Sequence, residues 1–282
     1  MISIIICSRN NDISSELKQN IADSIICDFE IVVIDNSDNQ YSIFTAYNEG
    51  VRRSRGDILC FMHEDVLFRS SGWGVVIRKH FEEDGKIGLI GFAGAHFLPS
   101  TPIYWDDSPF ISEHDLTTRG DITEECYSMA YFKDKCIVDV AVVDGMCFFI
   151  KRNLFDKIRF DEITYQGFHL YDMDISMQIN KAGYKVCVCN DVLVEHFYHF
   201  DPSKPGYKLF EINLQKFYSK WASCFPMLTG IDGLPEAVVA QLNSYVQHKV
   251  MVEKEYKAVL QSKAFRLGKA LAHPFKALRI HK

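Results

Sequence analysis

The sequence predicts an α/β fold: a mostly parallel central sheet flanked by helices, with a helical extension at the C-terminal end. Two observations carry that prediction. Short apolar runs recur through the first ninety residues, at 2–7, 30–34, 58–62 and 87–91, and the segments between them place apolar residues at helical spacing. Such alternation implies β-α-β units with right-handed crossovers. Acidic residues also fall where these runs end, and the strand ends of an open parallel sheet share one edge, where ligands bind.

The elements follow in order. Residues 2–7 read as strand one; they have no basic residues ahead of the apolar core and are too short for a signal peptide, and no later stretch reaches the length of a membrane span. A helix is expected over 13–26, a second strand over 30–34 ending in Asp35-Asn36-Ser37, and a helix over 41–55. The run 58–62 follows Gly56-Asp57 and reads as a buried parallel strand. A helix over 72–81 and a strand over 87–91 complete the pattern. Residues 97–135 break into prolines, aromatics and acids, which suggests a lid or acceptor-side insertion. Order resumes with strands at 136–143 and 145–150, a helix at 171–181, a strand at 184–189 and an extended piece at 192–196. Beyond 208 the chain reads as mostly helical, with breaks at Pro226, Gly230 and Pro235. The expected division is a catalytic domain over 1–225 and a helical extension over 226–282.

At 282 residues and 48% hydrophobic content, the chain can bury one large core. Its nine cysteines include no C-x-x-C pair, so neither a zinc ribbon nor a disulfide framework is indicated. Cys7, Cys60, Cys147, Cys187 and Cys189 sit in apolar runs, where a free thiol behaves as a small hydrophobe. That usage suits a reducing cytoplasm. The formal charge of −6 hides an asymmetry: residues 256–282 hold seven Lys and Arg and no acid, which leaves −13 for the body. An acidic body argues against nucleic acid as a partner. The basic tail, with Phe265, Leu267, Leu271, Phe275, Leu278 and Ile280 among its cations, reads either as an interfacial segment for an anionic bilayer or as an ordinary basic surface helix. On the first reading, removing 262–282 releases the protein from anionic vesicles in low-salt co-sedimentation and leaves catalysis unchanged; vesicle binding by the truncated form would place the contact elsewhere.

The densest chemistry follows the run 58–62, in His63-Glu64-Asp65. An acidic pair after a strand is often a helix cap, but here Val66-Leu67-Phe68 follows and the better helix start is Ser70-Ser71-Gly72-Trp73. Asp65, with Glu64, suits a hard divalent cation, Mg2+ or Mn2+, bridging to a diphosphate. Asp35 is placed to accept hydrogen bonds from a ribose or base, and equally to form an Asx turn. Asp172 and Asp174 are about 200° apart on a helix, so one serves chemistry and the other structure. Asp172, nearer the helix N-terminus, is the better general base. His196 reads as a further metal ligand or as a structural histidine.

Taken together, Cys7-Ser8-Arg9, Ile31-Val-Val-Ile-Asp35-Asn-Ser, Ala46-Tyr-Asn-Glu-Gly50, Arg55-Gly56-Asp57 and Phe61-Met-His-Glu-Asp65-Val form an ordered series. Val143-Asp144-Gly145, Phe168-His-Leu-Tyr-Asp172-Met-Asp174 and Lys220-Trp221 continue it. The series resembles family 2 glycosyltransferases of the GT-A fold, in the branch whose metal motif reads His-Gln-Asp-Val. The resemblance spans roughly 2–221. It implies that Ser8, Arg9, Asp35, Asn48 and Glu64 lie around the nucleotide and that Asp144, Gly145, His169 and Tyr171 lie around the donor and acceptor sugars. Asp65, His63 and His196 would hold Mn2+ or Mg2+. Asp172 would be the catalytic base of an inverting transfer from a nucleotide sugar, such as a UDP-sugar, to a hydroxyl of a glycan or lipid-linked saccharide. A near-normal pKa at Asp172 would be adequate. The sequence departs from the family at His63-Glu64-Asp65, where Asp-x-Asp is usual, and at Tyr171, which replaces a glutamate. Rival readings are a non-catalytic sugar-nucleotide or glycan-binding module and a nucleotidyltransferase. The latter wants a glycine-rich basic loop after strand one, which Ser8-Arg9-Asn10-Asn11-Asp12 lacks. A dehydrogenase is weaker still, for want of G-x-G-x-x-G.

Overall fold

The computed structural model describes residues 1–113, 117–118, 135–197 and 206–262. In chain order the elements are β1 (Ile2–Ser8), α1 (Ser15–Ser24), β2 (Phe29–Asp35), α2 (Ile43–Arg53), β3 (Ile58–Met62), β4 (Val66–Phe68), α3 (Trp73–Glu83), β5 (Ile87–Gly91), β6 (Ala93–Ala95), β7 (Phe97–Leu98), β8 (Ile111–Glu113), β9 (Thr117–Thr118), β10 (Ile137–Val140), β11 (Val142–Val143), β12 (Cys147–Lys151), α4 (Tyr171–Lys181), β13 (Lys185–Cys189), β14 (Val194–His196), α5 (Gly206–Lys220), β15 (Met227–Leu228) and α6 (Glu236–Gln261).

The main sheet has seven strands in the order β10-β13-β5-β12-β3-β1-β2. β1 is parallel to β2 and β3, and β13 is parallel to β5. β12 runs antiparallel between β3 and β5, and β10 antiparallel to β13. The sheet is therefore mostly parallel, with two reversed strands. The reversal of β12 has a consequence for the site: the start of a reversed strand lies at the carboxyl end of its neighbour β3. Asp144 and Gly145 thus arrive beside His63, whose N–H bonds the Met146 carbonyl at 2.8 Å.

β3 and β5 are buried along their whole length, as their unbroken apolar composition requires. Phe61 stacks on Phe148 at 5.3 Å and meets Tyr47 and Phe160 at 5.0 and 4.8 Å. Trp73 lies flat against Phe68 at 3.9 Å and gives its indole N–H to Ser24 Oγ. Phe61→Ala should cost ~3–5 kcal/mol in urea unfolding, the usual cost of emptying such a space; a cost below ~1 kcal/mol would show that the cluster is loosely packed.

Helix signals were legible. Ser14 and Ser42 cap α1 and α2 by accepting the N–H groups of Leu17 and Thr45. Residues 66–68, given no element by the sequence, form β4, which pairs antiparallel with β14. One expectation needs correction. The stretch 97–113 holds short strands, with β7 paired to β15, so it is stitched to the domain where described. Residues 114–116, 119–134, 198–205 and the tail beyond 262 lie outside the described residues. The chain past 225 continues in contact with the domain: β15 pairs with β7, and Thr229 N–H bonds the His96 carbonyl at 2.9 Å. α6 is mostly exposed, with Val246 its one buried residue, and packs by that residue beside Phe97 and Ile103. Among the described residues no helix is long and apolar enough to cross a membrane.

Candidate active site

Asp65, His63 and His196 converge at the carboxyl end of β3. β14 lies against β4 with His196 opposite Val66, and the Phe197 N–H bonds the Asp65 carbonyl at 2.9 Å, so backbone pairing delivers His196 to Asp65. Asp65 Oδ1 is 3.4 Å from His196 Nε2 and 3.8 Å from His63 Nδ1. One ligand atom from each residue lies within 4.8 Å of the others. Asp65 Oδ1 is sealed from solvent without a well-formed hydrogen bond.

The tautomer of His63 follows from its neighbours. Tyr171 has a single hydroxyl proton and donates it to the Gly145 carbonyl at 3.0 Å. The 2.6 Å contact between Tyr171 Oη and His63 Nε2 is therefore completed by the imidazole N–H. Burial, then the adjacent His196, pulls His63 down to about 4, so near neutral pH its ring is uncharged. Its Nδ1 lone pair faces the Asp65 oxygen. With His196 Nε2 3.4 Å from the same oxygen, the three side chains form a group that could hold a cation. The donor set, two imidazoles and a carboxylate, fits Mn2+ better than Mg2+, which prefers oxygen. Glu64 accepts the Ser8 hydroxyl at 2.6 Å and ties the β1 end to the β3–β4 turn.

Asp172 lies in the first turn of α4, next to Tyr171. Leu170 precedes that helix with φ at 73°, a left-handed conformation rare for leucine and costly enough to need support. Asp172 is 1% exposed. Tyr104 donates its hydroxyl to Asp172 Oδ2 at 3.0 Å, while Oδ1 is buried with no hydrogen bond. Burial, then the neighbouring Asp144, raises the Asp172 carboxyl to about 7, in contrast to the near-normal value expected. Burial likewise raises Asp144, which accepts the Met146 N–H at 2.7 Å and feels His196 as a favourable charge. The Trp105 indole nitrogen, buried and without a well-formed hydrogen bond, lies beside that carboxylate.

Asp174 has a different setting. Its carboxylate takes Tyr165 Oη, Trp221 Nε1, Gln178 Nε2 and Lys220 Nζ at 2.8 to 3.0 Å. With its acceptor sites filled and a cation beside it, it clamps the end of α5 onto α4.

Several assignments change. Tyr171 is 3% exposed and packs within 5.4 Å of Tyr47; it is a strut that orients His63, not an open sugar contact. Gly145 is its seat, because a Cβ there would sit 2.2 Å from Tyr171 Oη. Ser8 is buried with its hydroxyl given to Glu64. Asn48 uses both ends of its amide on the backbone of Phe160, at 2.8 and 3.1 Å, and clamps that loop where a nucleotide contact was expected. Asp35 is exposed at the end of the edge strand β2 and forms the Asx turn, accepting the Ser37 N–H at 3.0 Å. Arg9 is exposed beside Glu64, and Arg9 and His169 both lie near enough to His63 to act on its charge. Tyr104 and Trp105 were missed; the only trace was the aromatic and acidic run of 104–107 in the expected lid.

Comparison with known proteins bears on the fold and the family. The sequence profile of a glycosyltransferase-like family matches residues 3–202, and the chain belongs to this family, glycosyltransferase family 2-like. A search of curated proteins found no match. Among solved structures, GalNAc-T7 with UDP, GalNAc and Mn2+ is similar in fold, with a TM-score of 0.56 and 14% identity over 79% of this chain and 49% of that one. This chain thus spans about half the length of that protein. Staphylococcus aureus TarS 1-349 in complex with UDP-GlcNAc matches more loosely, with a TM-score of 0.47 and 12% identity over 86% of this chain and 70% of that chain.

Proposed function

We propose that this chain is a metal-dependent inverting glycosyltransferase that moves a sugar from a UDP-sugar to a hydroxyl of a glycan or lipid-linked saccharide. One observation carries the reading: a buried carboxylate with an unused oxygen, Asp172 Oδ1, adjoins Tyr171, whose hydroxyl meets His63 of a His/Asp/His set at 2.6 Å. His63, Asp65 and His196 would hold the cation, which when bound supplies positive charge opposite the departing diphosphate. Asp172 Oδ1 takes the proton of the acceptor hydroxyl as its oxygen attacks the anomeric carbon. Tyr104 holds the other oxygen and so sets the direction of the free lone pair. No covalent intermediate is required, and the remaining nearby acid of the α4 turn, Asp174, is occupied by its four donors. UDP-GalNAc is the first donor to try, because the similar GalNAc-T7 structure holds UDP and GalNAc.

Release of UDP from a panel of UDP-sugars, with Mn2+ and mixed saccharide acceptors, tests the reading. Binding of a UDP-sugar, seen as a raised melting temperature, without any turnover would favour the non-catalytic module.

The pH profile adds a sharper test. A base raised to about 7 must lose its proton to work, so kcat/KM should fall about tenfold per pH unit below that point. Asp144→Asn removes the second cause of the raised value and should move the acid limb to lower pH. An acid limb that stays in place in that variant would separate the limb from Asp172.

A further inference from the structure

α6 meets the domain along one face and leaves another uncovered. Val239, Leu242, Val246 and Val250 pack toward Phe97 and Ile103, and Asn243 accepts the Ser100 N–H at 2.7 Å. From 251 to the helix end at 261 no residue is buried. Among the described residues, six of the twelve large hydrophobic side chains that lie exposed belong to this helix. Exposed apolar residues scattered singly need no explanation, but five of these six are aligned. Val238, Tyr245, Val252 and Val259 are spaced by seven, and Tyr256 follows Val252 by four. Each step of seven turns the direction by only about 20°, so the five fall in a band about 60° wide and about 30 Å long. The band lies roughly a third of a turn around the helix from the face that meets the domain.

We propose that this band is a coiled-coil seam through which two copies of the chain pair antiparallel. Seven-residue spacing is what a helical partner requires, because it keeps a narrow seam facing one neighbour over several turns. With Val238, Tyr245, Val252 and Val259 at one core position of the heptad, the other core position falls at Leu242, Lys249 and Tyr256. Charge selects the orientation. In a parallel pair Lys249 would meet its own copy inside the seam, like against like. In an antiparallel pair with Tyr245 level with Tyr256 of the other copy, Lys249 comes level with Val252 of the other copy, beside Glu253 and Glu255. The two-fold axis repeats that match, and Leu242 comes level with Val259. Within one helix Lys249 already pairs with Glu253 at 3.9 Å, an exposed contact of little energy that a second copy can share. α6 carries three acids and three lysines, so it has no net charge to hold it to an anionic bilayer. Pairing also gives support to residues 251–261, since so short a stretch of helix is marginal in water without tertiary contacts.

Sedimentation velocity of the full chain tests this, and a passage from monomer to dimer is expected between about 1 and 100 μM. Tyr245→Glu and Val252→Glu place a charge in the seam at sites exposed in the single chain. Both should keep the melting temperature of the monomer and weaken dimerisation by at least about a hundredfold. Lys249→Glu alone, and Glu253→Lys with Glu255→Lys, should each weaken pairing, and the three changes together should restore it. Only the antiparallel arrangement gives that restoration, because a parallel seam sets position 249 against itself. A full chain that stays monomeric throughout, a dimer indifferent to Val252→Glu, or a triple variant that pairs no better than its parents would overturn the proposal. So would a monomer that dimerises only after removal of 263–282, which would make that segment the cover, or one that binds anionic vesicles and loses them in Val252→Glu.

Discussion

Asp172→Asn is expected to lower turnover by ~10²–10⁴-fold, the usual contribution of a positioned base, with little change in nucleotide-sugar binding. The asparagine fills the same space and its carbonyl can still accept from Tyr104, so the loss isolates proton transfer. Linkage gives the same substitution a second signature. The folded pKa of Asp172 lies above its unfolded value, so the native state is favoured by protonation: its contribution is fully present below about pH 4 and is lost as pH rises through about 7. Removing the charge should therefore stabilise the fold at pH 8, by up to a few kcal/mol, and do little at acid pH. Asp174→Asn should do the opposite, because it weakens four hydrogen bonds and leaves Lys220 without its buried partner. Near-normal turnover in folded Asp172→Asn would assign the proton transfer to another group.

Asp65→Ala should abolish the metal dependence of UDP binding. Asp65 is the one carboxylate of the set, and the carboxylate balances the charge that two neutral imidazoles cannot. Its loss should exceed the roughly 10–100-fold effect on metal affinity expected for Tyr171→Phe, which removes only the group that orients His63. Calorimetry of UDP with Mn2+ and with a chelator separates these cases. Equal affinity for wild-type protein in the two conditions would remove the metal from the proposed function.

Much of the site was legible because it depends on chain order. The apolar run 58–62 had to be a buried strand, and whatever followed it had to lie at a ligand-bearing edge, so His63 and Asp65 were found by position alone. The 200° offset of Asp172 and Asp174 separated a catalytic candidate from a structural one before any contact was known. What remained hidden depends on pairing between distant strands. His196 was an ambiguous histidine until β14 paired with β4, and β4 itself was too short for its three apolar residues to announce a strand. Tyr104 and Trp105 sat in a stretch without periodicity, where nothing local says which carboxylate an aromatic donor will meet.

The sequence by itself determined the α/β class and the residue types available at the sheet's carboxyl edge, since these follow from periodicity and spacing along one chain, and its ordered motifs carried the resemblance to the family. Only the tertiary structure decided what each group experiences. Asp172 and Asp35 are both acids at element ends, yet one is buried beside Asp144 and raised to about 7, and the other is exposed and held in an Asx turn. His63 and Tyr171 are 108 residues apart in sequence, and their side chains meet at 2.6 Å. Desolvation and convergence act through space, and spacing along the chain does not encode the distance between elements that a reversed or added strand brings together.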